Sequence, residues 1–395
     1  MFAQLETAKT DFFAVDPQPV IPGQGPAALP DFDAAEAEIA AWQGYQPTPF
    51  FNLSGLAEKL NIQAIHYKHE GPRFGLGSFK ALGGAYAVLR LLQRELSRSE
   101  GREVTVAEAK SEGFARQKSA LTVISATDGN HGRSVAWGAQ QFGVKCRIYI
   151  HAEVSAFRAE AMQALGAEVI RVDGDYDATV QQTRVDAERH GWMIVSDTSW
   201  PGYSQAPLDV MAGYGVMARE IIHELPEPPT HVFLQGGVGG LAAAVIAAFQ
   251  QGWGDDAPLN FIVEPELASC LFASAKANGA TAVKIQKETM MAGLSCGEPS
   301  QIAWDILGTS VHGFMTIPDD FVGPVLRLLA RGGAGDIAIE AGESAVAGLI
   351  GLICAARDAD LRDQMRLDAA SRAVIIGSEG VTDPTVFAKL MEGRD

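Results

Sequence analysis

Seven short apolar runs, most feeding a glycine-bearing turn and then a helical pattern, constrain this chain more than any other feature. They are LTVISA before Thr127, CRIYI before His151, AEVIRV before Asp173, WMIVS before Asp197, HVFLQ before Gly236, NFIVE before Pro265 and AVIIG before Ser378. Runs this short and this continuously apolar read as strands buried on both faces. Between them, RSVAWGAQQFG from Arg133, SAFRAEAMQALG from Ser155 and YDATVQQTRVDAERHG from Tyr176 keep apolar or small residues on one face and end at a glycine, as a helix C-cap does. Strand, helix, strand in repetition predicts an α/β protein with parallel sheets and helices on both faces. The 395 residues suggest two or three units. The segment from Leu96 to Lys118 reads as an exposed helix and loop. Proline-bearing stretches from Pro17 to Pro30 and from Pro47 to Pro49 read as an irregular N-terminal arm.

Charge narrows the partners. Acidic residues outnumber basic ones 48 to 31, for a net charge of -17, and such a surface repels phosphate backbones and anionic lipid. Neither nucleic acid nor a membrane is expected as a partner. Apolar runs such as LAAAVIAAF from Leu241 fall short of the ~20 residues that span a bilayer. Cys146, Cys270, Cys296 and Cys354 are too few for a disulfide framework and lack zinc-site spacing, so no metal and a reducing compartment are expected. The opening MFAQLETAKTDFFAVDPQPV has acids and a proline where a secretory peptide needs a basic start and an apolar core, which predicts a cytoplasmic protein.

Three segments carry chemistry. In EGPRFGLGSFKALGGAYAVL, Gly75, Gly77 and Ser78 form a turn and Lys80 opens a helix. No other charge lies from Gly75 to Val88, and apolar neighbours would make its amine a usable nucleophile or base. In SATDGNHGRSVAWGA, a strand runs into Thr127, Asp128, Gly129, Asn130 and His131 and then a helix, so backbone amides at a helix N-terminus form a cradle for a carboxylate or phosphate. Asp128 there is either a helix cap or a proton-transfer carboxylate; for His131, packing is favoured over a role as base. In HVFLQGGVGGLAAAV, Gly236, Gly237, Val238, Gly239 and Gly240 lie between a strand and a helix, where their amides can ring a phosphate. Read from Gly237 the same letters fit a dinucleotide fingerprint with Glu264 ending the next strand, so an NAD-dependent oxidoreductase competes.

GSFKALGGAYAVL, SATDGNHGRSVAWGA, SDTSWPGY, QGGVGG, VEPELASCL, MAGLSCGEPS and GSEGVTDP, in this order, resemble the pyridoxal-phosphate enzymes of fold type II and, among them, the diaminopropionate ammonia-lyase family. The resemblance implies a tryptophan synthase β-like architecture of two parallel-sheet αβα domains with the active site between them. It implies a large cofactor domain over 1–88 and 205–395 and a small domain over 89–204 carrying the substrate-carboxylate loop. It makes Lys80 the lysine that carries pyridoxal 5'-phosphate as an internal aldimine, and a base. Gly236 to Gly240 become the cup for the cofactor phosphate, Asn130 the partner of its phenolic oxygen, and Ser378 the partner of its pyridine nitrogen. The loop Thr127, Asp128, Gly129, Asn130 and His131 would bind substrate. Asp128 and Asp197 would be catalytic, two carboxylates close enough to raise the pKa of one of them. The implied reaction is α,β-elimination of D- and L-2,3-diaminopropionate to pyruvate and two ammonia by a homodimer. A sister lyase acting on 3-hydroxyaspartate or serine is the alternative within this class, and a non-catalytic regulatory relative is disfavoured by the intact lysine and glycine turn.

Overall fold

The computed structural model describes residues 10–17, 29–127, 129–174 and 176–393. Among them run eleven strands: β1 (Phe12–Ala14), β2 (Phe50–Asn52), β3 (Ala64–His69), β4 (Thr122–Ala126), β5 (Lys145–His151), β6 (Glu168–Val172), β7 (Met193–Ile194), β8 (His231–Gln235), β9 (Leu259–Pro265), β10 (Gly313–Ile317) and β11 (Arg372–Gly377). They divide between two compact units. The first is drawn from Met1–Leu29, Gln46–Phe79 and Met217–Asp395, the second from Pro30–Tyr45 and Lys80–Val216. These boundaries differ from 88/89 and 204/205, because the helix beginning at Lys80 goes wholly to the second unit and the helix Gln205–Glu224 straddles the division.

The first unit holds a seven-stranded sheet in the order β1-β10-β9-β8-β11-β3-β2. The five inner strands pair in parallel and the two edge strands antiparallel. β8 and β10 are buried at every position, as expected of strands covered on both faces. Ile375 of β11 stands between Tyr67 and Phe233, all three fully buried. The second unit holds a parallel sheet in the order β6-β5-β4-β7. Its helices Lys80–Glu100 and Asn130–Phe142 approach closely through small residues: a Cβ on Gly138 would stand 2.6 Å from Ala85 Cα, and Ser134 Oγ accepts from the Ala85 amide at 3.1 Å.

The stretch read as an exposed helix and loop contains more order than that. It holds the helices Val106–Lys110 and Ala115–Ala120, and the buried Lys118 donates to the carbonyls of Lys110 and Ser111. β2 follows the Pro47–Pro49 stretch directly, and 18–28 lie outside the described residues. Among the described residues no helix is long and apolar enough to cross a membrane.

Candidate active site

The route to Lys80 is anchored by charge. Arg73, fully buried, opens the turn Arg73–Gly75, in which Phe74 takes the left-handed φ of 49°, a conformation that costs a non-glycine residue energy and persists only when its surroundings impose it. The guanidinium reaches Glu70 (Nε to Oε2 2.8 Å, Nη2 to Oε1 2.7 Å) and Glu220 (Nη1 to Oε1 2.7 Å, Nη2 to Oε2 2.8 Å). Lys68 Nζ, with no exposure, pairs with Glu220 at 2.6 Å. Beyond this turn, Ser78 bridges Glu379, the Gly380 amide donates to Gly77 O at 2.9 Å, and the Phe79 amide donates to Ser378 O at 3.0 Å. Ser378, itself buried, therefore sits in a turn stitched to the loop that precedes Lys80.

In the second unit, Lys80 Nζ makes an ion pair with Asp197 Oδ2, at side-chain exposures of 20% and 17%. Tyr214 faces the same amine, with Lys80 Nζ 5.6 Å from its ring centroid, and its ring edge lies against Gly83, where a Cβ would overlap it. Asp197 is held by its own motif. In SDTSWPGY, Tyr203 accepts at its hydroxyl from the Ser196 amide (3.0 Å) and donates to Ile194 O (2.9 Å), while Trp200 stacks on Tyr203 with centroids 4.0 Å apart. Burial works against the charge of Asp197, but Lys80 and His131 outweigh it and hold its pKa below the usual carboxylate range. The expected pairing of this carboxylate with Asp128 involves a residue outside the described ones; among those described, Lys80 and His131 are the neighbours that lower the pKa of Asp197.

The loop after β4 is built on Thr127, whose Oγ1 accepts from the amides of Gly129 and Gly132, both at 3.2 Å. Asn130 begins the helix. Asp128 lies outside the described residues. His131 is buried, with Nε2 3.1 Å from Val195 O and Nδ1 3.9 Å from Asp197 Oδ2.

The glycine turn lies in the first unit. Gly236 donates to Val263 O at 2.8 Å, Gly239 takes φ 95°, and Gly240 opens the helix Gly240–Trp253. The first amides of a helix have no carbonyl of their own to bond to, so this N-terminus presents donors to an anion. A Cβ on Gly237 would stand 3.2 Å from Cys296 Sγ, and one on Gly239 2.9 Å from Leu307 Cδ1. Cys270 donates to Gly237 O at 3.5 Å, and all four cysteines are free thiols. Glu264 overturns the dinucleotide reading. Its two oxygens accept the amides of Leu271 (2.8 Å) and Phe272 (2.7 Å) at the start of the helix Cys270–Ala277, and it is fully buried. Burial pushes its pKa up to about 8 while those two amides pull it down. Fully buried and committed to this helix start, Glu264 offers no exposed oxygen to a ribose.

Residues 41–378 match the family of pyridoxal-phosphate dependent enzymes. The chain belongs to this family. It is 35% identical over 382 residues to the diaminopropionate ammonia-lyase of Escherichia coli (strain K12), covering 92% of this chain and 94% of that one. A crystal structure of the Escherichia coli diaminopropionate ammonia lyase in complex with an aminoacrylate-PLP azomethine reaction intermediate matches with a TM-score of 0.86 at 32% identity, covering 98% of both chains. Threonine deaminase isoform 2 from Solanum lycopersicum shares the fold, with a TM-score of 0.72 at 20% identity over 97% of this chain and 99% of that one. The α/β class of fold type II is thus the one the sequence suggested, and the cofactor of the family is pyridoxal phosphate. The residues present suit it: a primary amine at Lys80, a bare-backboned helix N-terminus for a phosphate, and a buried hydroxyl at Ser378. Sequence reasoning missed Tyr203, Tyr214 and the Arg73 network. Tyr203 lay within a quoted motif; Tyr214 had no local signal, since only the packing of its ring against Gly83 brings it to Lys80.

Proposed function

We propose that this protein is a carbon–nitrogen lyase that converts D- and L-2,3-diaminopropionate and water to pyruvate and two ammonia. The observation that carries the reading is the Lys80–Asp197 ion pair, which joins two motifs that resemble those of the lyases, in a chain 35% identical to the Escherichia coli enzyme. Bound pyridoxal phosphate supplies an electron sink for the charge that develops at the substrate α-carbon. The amides of Gly236, Gly237, Val238, Gly239 and Gly240 hold its phosphate, Asn130 its phenolic oxygen and Ser378 its pyridine nitrogen. The unit with the seven-stranded sheet thus serves the cofactor phosphate, and the unit with the four-stranded sheet carries the carboxylate loop, 127–131, in which His131 acts through its backbone amide.

Lys80 holds the cofactor and takes the α-proton of the L isomer; Asp128 takes that of the D isomer. Opposite configurations present the hydrogen to opposite faces, and one base reaches only one of them. Asp197 keeps a negative charge beside Lys80. Four free thiols fit a reducing cytoplasm, and a homodimer is the assembly we expect, to be checked by light scattering. The deciding assay measures pyruvate and ammonia from both diaminopropionate isomers against serine and 3-hydroxyaspartate. Turnover of either of the latter two with none of diaminopropionate would overturn the reading.

A further inference from the structure

Two basic nitrogens face one oxygen. Lys80 Nζ is paired with Asp197 Oδ2, and His131 Nδ1 stands 3.9 Å from that same atom. The other side of the imidazole is fixed, with Nε2 3.1 Å from Val195 O, a carbonyl that also accepts from Ser125 Oγ at 2.7 Å. A carbonyl only accepts, so Nε2 carries a hydrogen and any further proton must go to Nδ1. Nδ1 is buried and has no hydrogen-bond partner. A buried polar atom without a partner requires an explanation, and packing alone gives none for a lone pair turned toward a carboxylate.

The chemistry of Lys80 supplies one. An ammonium is neither nucleophile nor base, so Lys80 must shed a proton before it reacts. Asp197 stands between the two bases, its Oδ2 facing both Lys80 Nζ and His131 Nδ1, so it can hand the proton on. Releasing the proton to solvent would leave a largely buried carboxylate without a cation, which is costly. Transfer to His131 avoids that cost.

We propose that His131 is the proton store of Lys80. The N–H bond at Lys80 Nζ breaks, its electron pair stays on nitrogen as the free amine, and a new N–H bond forms at His131 Nδ1 across Asp197 Oδ2. Ammonium and imidazole become amine and imidazolium, the carboxylate keeps one cation throughout, and the net charge of the cluster does not change. Burial opposes protonation of the ring most; among the described residues, the charged groups acting on it are Asp197, which favours protonation, and Lys80, which opposes it. Loss of the lysine charge therefore raises the affinity of His131 for a proton at the moment the proton needs a place. The imidazole of His131 acts through Lys80 and not on the substrate, so in this role it is a positioning group.

The inference rests on Lys80 being the reactive amine, and its first test needs neither substrate nor cofactor. In the full-length chain labelled with ¹⁵N at histidine, Lys80→Arg keeps a cation beside Asp197 and Lys80→Met removes it; the His131 signal is assigned by its loss in His131→Asn. We expect His131 to titrate at least about one pH unit higher in Lys80→Met than in Lys80→Arg, and addition of Asp197→Asn to Lys80→Met to erase the difference. Equal titration in the two single variants overturns the proposal. The second test is the pH profile of the active enzyme. Asparagine at 131 can still donate to Val195 O but cannot store a proton, so the acid limb of kcat, which reports the substrate complex in which Lys80 is a free amine, should move up by about one pH unit. A fall that is equal at every pH, with the limb in place, marks a structural role and overturns the proposal as well.

Discussion

Arg73→Met should be among the most damaging single substitutions outside the reacting groups. Methionine fills much of the same length without charge, so the loss isolates electrostatics from packing. Arg73 serves Glu70 and Glu220 with four contacts of 2.7 to 2.8 Å, and further donates to Gln46 O and Thr48 Oγ1, each at 3.2 Å. Without it, the buried Glu70 loses its guanidinium partner and Glu220 keeps Lys68. Breaking a buried ion pair by deleting one partner costs about 3–5 kcal/mol, and at ~1.4 kcal/mol per decade the open form of this unit should gain roughly 10²- to 10⁴-fold in population. Native-state hydrogen exchange of the amides in the β3–β11 ladder reads this directly. The pH dependence follows with a definite sign. Burial opposes the charge of Glu220, but Arg73 and Lys68 outweigh it and its pKa is lowered in the folded chain. A depressed carboxylate stabilises the fold above its unfolded pKa, ~4.3, and that contribution fades as pH falls through the folded value. The difference between wild type and Arg73→Met should therefore be full at pH 7 and shrink as the pH drops below ~4. A loss under about 1 kcal/mol at pH 7, or one that is the same at both pH values, would refute this account of the network.

Three further outcomes are expected. Borohydride reduction followed by peptide mapping should place the pyridoxyl group on Lys80; label on any other lysine removes Lys80 from its role. In Gly237→Val the new side chain starts 3.2 Å from Cys296 Sγ and 3.4 Å from Gly293 O, so the cofactor should be lost on dialysis, whereas NAD should not bind the wild type in a calorimetric titration. Asp128→Asn should lower turnover of the D isomer by roughly 10²- to 10⁴-fold, the usual worth of a positioned base, and turnover of the L isomer much less; equal losses would make Asp128 a clamp on the distal ammonium instead.

Much of the fold was legible because parallel strands write themselves as apolar runs, and all seven of the runs named from the sequence contain strands, but β6 and β7 have no fully buried position and so are not the doubly covered strands expected. β3 was not legible, because Ala64–His69 contains His66, Lys68 and His69, and Lys68 reads as a surface residue until Glu220, far along the chain, neutralises it. β10 begins at a glycine, and β1 and β2 are three-residue edge strands too short to show a period. In the site, the glycine turn and Lys80 were visible because backbone needs select glycine locally. Partners such as Tyr214 and the pairing of Glu264 with a helix start depend on contacts that no local pattern encodes.

Asp197 shows how far the neighbours of a carboxylate decide its chemistry. Two acids named from a sequence invite the inference that one is a general base with a raised pKa. A carboxylate flanked by Lys80 and His131 is pushed the other way, and a group whose proton affinity lies far below the working pH is a poor base. The tasks of the proposed site therefore divide. Proton removal falls to Lys80 and Asp128, one for each configuration of the substrate, while Asp197 supplies a fixed charge whose counter-ion passes between Lys80 and His131. On that division Asp197→Asn should weaken both isomers alike, because it disturbs Lys80 in the handling of either. Asp128→Asn should separate them, and this contrast between two aspartates is the observation that distinguishes a charge holder from a base.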